Sequence, residues 1–264
     1  MDKVKVGIIA GSGVDTPEFE FVEEITVKSK YGETSGMYKR FKHADTDVYY
    51  LRRHGEKHNI PPHMINYRAN IDGFRQLGVS AVVSVSSVGG ITSLFHPGDI
   101  AVTANAIDFT FGRNITYFHS DEVFHVDLTT PFCNALRERI LSAAGKAGII
   151  AHNRGVYICA NGPRYETAAE IVAYSRLGAD FVGMTLFPEC ALARELGICY
   201  ANVSVISNYA AGITGNKLTS DEVIDTMKIF SESVKSILHQ FISDLSTWEC
   251  DCRNSLKGAK ISNE

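Results

Sequence analysis

Residues 65–91 read INYRANIDGFRQLGVSAVVSVSSVGGI. The first half, from Ile65 to Leu77, is amphipathic at helical spacing, with Gly78 where a helix C-cap belongs. The second half is a continuous β-branched run, as expected of a strand buried on both faces. A helix feeding such a strand argues an α/β fold with a partly parallel sheet. The strand ends in Ser86-Ser87-Val88-Gly89-Gly90. Polar, glycine-rich strand ends deliver functional groups to the carboxyl edge of a sheet, where open α/β folds bind ligands.

The same pattern recurs upstream. Val4 to Ala10 is a short β-branched run ending in Gly11-Ser12-Gly13. Two readings stand: a plain strand–turn, or an anion loop in which backbone amides and the Ser12 hydroxyl face an oxyanion. The glycine spacing fits neither a Walker loop nor GxGxxG. Residues 22–55 alternate apolar and polar, which predicts antiparallel strands with turns at Tyr31-Gly32 and Asp45. The last of them ends in Arg52-Arg53-His54-Gly55, and His58, Pro61, Pro62 and His63 crowd the next loop. A loop so restricted tends to hold a site, and the planar fork of Arg suits phosphate. Arg53 and His54 are therefore assigned a phosphate role in preference to a solvated edge.

Downstream, residues 95–108 read as one strand, and 110–126 as a long aromatic- and histidine-rich loop, either a lid or an interface. His125 in it is either a surface residue or a contact to a ligand or neighbouring subunit. A helix spans 131–147 and a strand 155–160, which leads into NGPRYET with Glu166. A helix follows over 167–177, then a strand over 179–184 ending in Met184-Thr185. Pro188-Glu189 opens a helix through Leu196. Residues 199–207 form another buried strand ending at Asn208, and Ser220-Asp221-Glu222 starts a helix reaching about Leu245. One domain over 1–247 and a loose polar C-terminal tail over 248–264 are expected.

The chain has 264 residues, 45% of them hydrophobic, enough for one large core. A charge of -4 with no long basic run disfavours a nucleic-acid partner. No apolar window approaches a membrane span, and the N-terminus lacks a signal-peptide pattern. Cys133, Cys159, Cys190 and Cys199 look like small buried hydrophobes, so a reduced cytoplasmic setting fits. The cysteines are dispersed and no HExxH occurs, so no metal site is expected, and Cys250-x-Cys252 is read as incidental in preference to a redox or stapling role. No GxSxG elbow supports a hydrolase triad.

Taken in order, GIIAGSG, RRHG, NYRANI, SVGG, PGDI, NGPRYET, GMTLFPECALARELGICYA and SNYAAG make the chain resemble the trimeric purine nucleoside phosphorylase and methylthioadenosine phosphorylase family, from about Val4 to Leu245. The resemblance implies a single-domain α/β fold whose central mixed, twisted sheet is partly barrel-like and flanked by helices. It implies phosphorolysis of a purine nucleoside to free base and ribose 1-phosphate, with phosphate as co-substrate, no cofactor, no metal and a homotrimer. By resemblance, phosphate falls to Ser12, Arg53, His54, Ser86, Ser87 and Thr185. Met184 packs on the ribose, and Asn208, with Tyr209 and Ala210 beside it, meets the purine N7 side. His125 is assigned to the 5′ side, reaching from a neighbouring subunit.

Base preference follows from donors and acceptors. A 6-oxopurine offers a carbonyl and an N1–H; an aminopurine offers an amine and a bare N1. Glu166 suits N1–H, and the Asn208 amide can serve both N7 and O6. Adenine-preferring relatives resemble this chain but carry Asp at the positions of Asn208 and Ala210 and a small hydroxyl residue at that of Glu166. A mismatched polar pair in a dry pocket costs a few kcal/mol. The competing reading is that Glu166 merely caps the helix after it. Ile213, Leu218 and Val223 either line a slot for a 5′-methylthio group or form the inner face of the last helix. Three functions remain: a 6-oxopurine nucleoside phosphorylase acting on S-methyl-5′-thioinosine, inosine or guanosine; a methylthioadenosine phosphorylase; and a non-catalytic nucleoside-binding module.

Overall fold

The computed structural model describes residues 4–11, 18–119, 122–215, 218–245 and 247–261. Ser12 and Gly13, and with them the glycine-rich loop reading, lie outside the described residues. Strands β1 (Lys5–Ala10), β4 (Thr46–Arg52), β5 (Ala81–Gly90) and β11 (Cys199–Tyr209) run parallel, in the order β4-β1-β5-β11. β5 is buried along nearly its whole length because both its faces meet a core. Ala81, Val83 and Val85 point into one core, while Val82 and Val88 point into the other.

Each face is covered by helices. Helices α2 (Asn134–Lys146) and α5 (Ser220–Ser243) bury Leu136, Ile140, Val234, Ile237, Leu238 and Phe241 against the first face. Helices α1 (Tyr67–Gln76) and α4 (Leu186–Glu195) bury Ile71, Phe74, Leu186 and Leu192 against the second. Each such side chain contributes ~1.5–3 kcal/mol on burial, which is why these helices hold the sheet in place. Gly78 takes the left-handed conformation at φ +75° and ends α1 as expected.

The antiparallel arm is β2 (Glu20–Ile25), β3 (Tyr38–His43) and β4, with a Ser29–Gly32 bridge and a turn at Ala44-Asp45. At its far end β5 changes neighbour. Its first half pairs with β1; Gly89 and Gly90 pair instead with β10 (Phe181–Gly183), which continues into β9 (Val156–Ala160) and β7 (Asn105–Phe109). The opposite edge runs from β11 to β6 (Ile100–Val102) and β8 (Ala151–His152). The sheet therefore forks at β5.

Three expectations need correction. Residues 95–108 are two strands, because β6 hydrogen-bonds to β11 and β7 to β9, so the chain changes partner between them. Helix α4 begins at Leu186, ahead of Pro188, which sits in its first turn where no N–H is missed. The C-terminal segment is seated on the body. Residues 251–254 form a 3₁₀ turn, Cys252 is buried, Ser255 Oγ donates to the Arg194 carbonyl, and Ile261 N donates to Val123 O. Among the described residues no helix is long and apolar enough to cross a membrane.

Candidate active site

The ends of β1, β4, β5, β10 and β11 converge on one cavity of about 490 Å³. They bring Arg53, His54, Ser86, Ser87, Met184, Thr185, Asn208 and Ala210 to its wall, and the loop after β9 brings Glu166. Leu218 and Val223 also line it, while Ile213 does not. Val223 is on α5 and reaches the cavity. Tyr209 and His125 are not among the lining residues of their own chain. The His125 backbone N–H donates to Ala259 O, which ties that loop to the C-terminal segment.

One end of the cavity carries a buried cation. Arg53 is 1% exposed. Its Nε and Nη2 donate to Glu189 at 2.8 and 3.2 Å, Nη2 also to Ile9 O, and Nη1 to Val85 O. Burial acts to discharge Arg53, but Glu189 outweighs it and holds the guanidinium pKa above its ordinary value. The planar fork expected to clasp phosphate thus clasps Glu189. One N–H, on Nη1, is left over among the described bonds. Gly11 faces that nitrogen: a Cβ there would lie 3.0 Å from Nη1.

His54 is held neutral. Burial first, and then the Arg53 charge, push its pKa down to about 4. Nδ1 donates to Ile60 O at 2.9 Å, which leaves Nε2 as an acceptor. Thr185 occupies the N-cap of α4 with no side-chain capping bond, so its hydroxyl remains beside the positive end of that helix. Ser86 Oγ accepts from Asn202 Nδ2 at 3.0 Å, part of a buried network through Ser84, Tyr200 and Glu189.

The other end of the cavity holds amide, hydroxyl and carboxylate side chains. Ser87 Oγ donates to Ser207 Oγ at 2.9 Å, and Ser207 Oγ donates to Asn208 Oδ1 at 2.7 Å. Asn208 Nδ2 spends one hydrogen on Tyr209 O at 2.7 Å. One N–H and one Oδ1 lone pair are then left for a ligand. Glu166 Oε1 is buried with no hydrogen-bond partner, and burial raises its pKa. Glu166 does not cap α3 (Ala168–Arg176): Thr167 is the N-cap and closes a capping box with Glu170. The capping reading of Glu166 therefore fails.

Sequence reasoning missed Glu189, Ser207 and Arg113. Arg113 donates to Asn161 O, Met184 O and Tyr67 Oη, which fixes the loop under the Met184 backbone. The available signal was Glu189 itself, an acid in an otherwise apolar helix. A second correction concerns the cysteines. Cys133, Cys199, Cys250 and Cys252 are dispersed in sequence, yet their sulfurs all lie within 4.8 Å of one another.

The chain matches the phosphorylase superfamily over residues 5–243. It is 46% identical over 261 residues to a probable S-methyl-5′-thioinosine phosphorylase of Thermodesulfovibrio yellowstonii, covering 98% of each chain. It is 44% identical to the 6-oxopurine nucleoside phosphorylase of Pyrococcus furiosus, covering 97% of this chain and 98% of the relative. Among solved structures, it superposes on methylthioadenosine phosphorylase from Schistosoma mansoni in complex with adenine. The TM-score is 0.88 at 31% identity, covering 91% of both chains.

Proposed function

The chain belongs to the phosphorylase superfamily, and we propose that it catalyses reversible phosphorolysis of 6-oxopurine nucleosides, as a pentosyltransferase of purine salvage. The substrates are S-methyl-5′-thioinosine, inosine or guanosine; the products are the free base and the matching ribose 1-phosphate. The reading rests above all on Glu166, a buried carboxylate oxygen in the cavity wall with no partner of its own. Leaving such a group unmatched costs ~1–3 kcal/mol, and the N1–H of a 6-oxopurine matches it. The bare N1 of adenine does not.

Phosphate belongs to the Arg53 end, with Ser12, His54, Ser86, Ser87 and Thr185. Arg53 acts there as a buried positive charge offering one Nη1 donor. Neutral His54 Nε2 accepts a hydrogen bond from the P–OH that a phosphate dianion retains. A phosphate oxygen attacks C1′ while the C1′–N9 bond breaks and its electron pair passes to the purine. The sugar carries oxocarbenium character between them, stabilised by the dianion. The departing base gains a proton at N7 from solvent, Asn208 Oδ1 accepts a hydrogen bond from that N7–H, and its spare N–H donates to O6. Met184 packs on the ribose. Orientation and electrostatics suffice, so no covalent nucleophile or cofactor is called for. Leu218 and Val223 give the 5′ side an apolar surface suited to methylthio. We assign His125 to the 5′ side of a neighbouring subunit in a cytoplasmic homotrimer.

The test is incubation with orthophosphate and S-methyl-5′-thioinosine, inosine, guanosine and S-methyl-5′-thioadenosine, with bases separated by chromatography. Phosphate-dependent release of hypoxanthine or guanine is expected. Preferential release of adenine supports the second reading, a methylthioadenosine phosphorylase, which the structural likeness to such an enzyme favours. Cleavage at full rate without phosphate or arsenate overturns both.

A further inference from the structure

A second chemical centre lies away from the cavity, where the C-terminal segment meets the body. Cys133 stands at the N-cap of α2, Cys199 begins β11, and Cys250 and Cys252 come from the C-terminal segment. Three of the four are buried and Cys250 is half-buried. All four Sγ atoms lie within 4.8 Å of one another, and Cys199 and Cys250 sulfurs are 3.2 Å apart. We propose that these four cysteines form a tetrahedral all-thiolate site for one zinc ion, which staples the C-terminal segment to the body.

The spacing is that of a mononuclear metal. With zinc–sulfur bonds of about 2.3 Å, the corners of a tetrahedron lie ~3.8 Å apart. The Cys199–Cys250 distance is far longer than the ~2.05 Å of a disulfide bond. A multi-iron cluster would hold its thiolates farther apart around a cage. The donor set is soft and uniform, which suits zinc over oxygen-seeking cations.

Four thiolates around a divalent ion leave net negative charge, and the surroundings answer it. The positive end of α2 meets Cys133, where a thiolate is favoured. Arg194 Nη1 approaches Cys252 Sγ at 3.9 Å, and its Nη2 donates to Thr130 O, which fixes the guanidinium there. Binding releases the thiol protons as the four metal–sulfur bonds form. The ligands come from a helix start, a strand start and a segment with a 3₁₀ turn, none contiguous with the others. A metal here therefore locks separate parts of the chain together, which is the way structural zinc sites stabilise folds.

The experiment uses the full chain without a histidine tag, from zinc-supplemented cells. Elemental analysis is expected to give one zinc per chain, released when an organomercurial titrates the thiols. After reduction and metal removal, Co2+ is expected to restore one equivalent, with the thiolate-to-cobalt charge-transfer band and intense visible transitions of tetrahedral sulfur coordination. The Cys250→Ser/Cys252→Ser variant loses that metal and inactivates at a lower temperature, while its nucleoside turnover at ambient temperature stays unchanged. Because the cobalt measurement uses the unmutated chain, misfolding of the variant does not decide the matter. Mass spectrometry of unreduced protein showing these cysteines paired as disulfides overturns the proposal. So does a reduced chain that takes up neither zinc nor cobalt.

Discussion

Glu189 holds Arg53 by two hydrogen bonds, 2.8 Å to Nε and 3.2 Å to Nη2, with both side chains sealed from solvent. The charge at this end of the cavity is thus fixed from below. Removing either partner strands a buried charge, which costs ~3–5 kcal/mol. Arg53→Ala is expected to lower stability in urea unfolding by that order. It is also expected to raise the KM for phosphate much more than that for nucleoside. The pair Arg53→Met with Glu189→Leu should recover most of the stability, since neither charge is stranded, but not the phosphate KM. If the double variant regains phosphate affinity as well, Arg53 is a structural residue only.

The orphaned Oε1 of Glu166 and the tethered amide of Asn208 make base selection testable. Glu166→Ser with Asn208→Asp removes the acceptor for N1–H and supplies a group suited to the adenine amine and N7. The ratio of kcat/KM for S-methyl-5′-thioadenosine over S-methyl-5′-thioinosine should rise at least ~100-fold, the scale set by mismatching a buried polar pair. An unchanged ratio removes Glu166 and Asn208 from base recognition.

The parts of this arrangement that the sequence carries are the local ones. β5 and β11 are legible because burial on both faces selects small and β-branched residues along nearly the whole run, and their polar ends announce Ser86, Ser87 and Asn208. What stays hidden depends on partners distant in the chain. Nothing near Thr103 reveals that β6 joins β11 while β7 joins β9. Arg53 reads as a phosphate fork because its real partner, Glu189, is 136 residues away. The four-cysteine centre is invisible for the same reason, since only Cys250 and Cys252 are near neighbours in sequence.

His54 sets a pH dependence with a definite sign. Its folded-state pKa, about 4, lies below the ordinary imidazole value of 6.5. Between those values the unfolded chain binds a proton that the folded chain refuses, so stability falls as pH drops from 6.5 toward 4 and then levels off. The full effect is on the order of 3 kcal/mol. His54→Gln should flatten that part of the profile of unfolding free energy against pH. NMR titration of the unliganded protein should show the His54 ring neutral throughout the range from pH 5 to 8 (a window about the usual imidazole pKa). A ring that titrates near 6.5 contradicts the burial argument and the acceptor role of Nε2.

Ser207 links the two ends of the cavity, because its oxygen accepts from Ser87 and its proton goes to Asn208 Oδ1. It is 1% exposed and holds the Asn208 amide, which the proposed function sets against the base. The Oδ1–Nδ2 orientation of Asn208 is set by this donor on one side and by Tyr209 O on the other. Ser207→Ala leaves the amide free to turn and Oδ1 short of a donor, a loss of ~1–3 kcal/mol. If most of that loss falls on the transition state, kcat drops about tenfold or more, since ~1.4 kcal/mol is one decade. Ser207→Thr keeps the hydroxyl and should restore most of the rate. A purely structural role would lower the melting temperature of Ser207→Ala and leave kcat alone, so equal kcat values in the wild-type and alanine enzymes refute the link. A fall in kcat that threonine reverses establishes that the phosphate-side serine and the base-side amide work as one hydrogen-bonded unit.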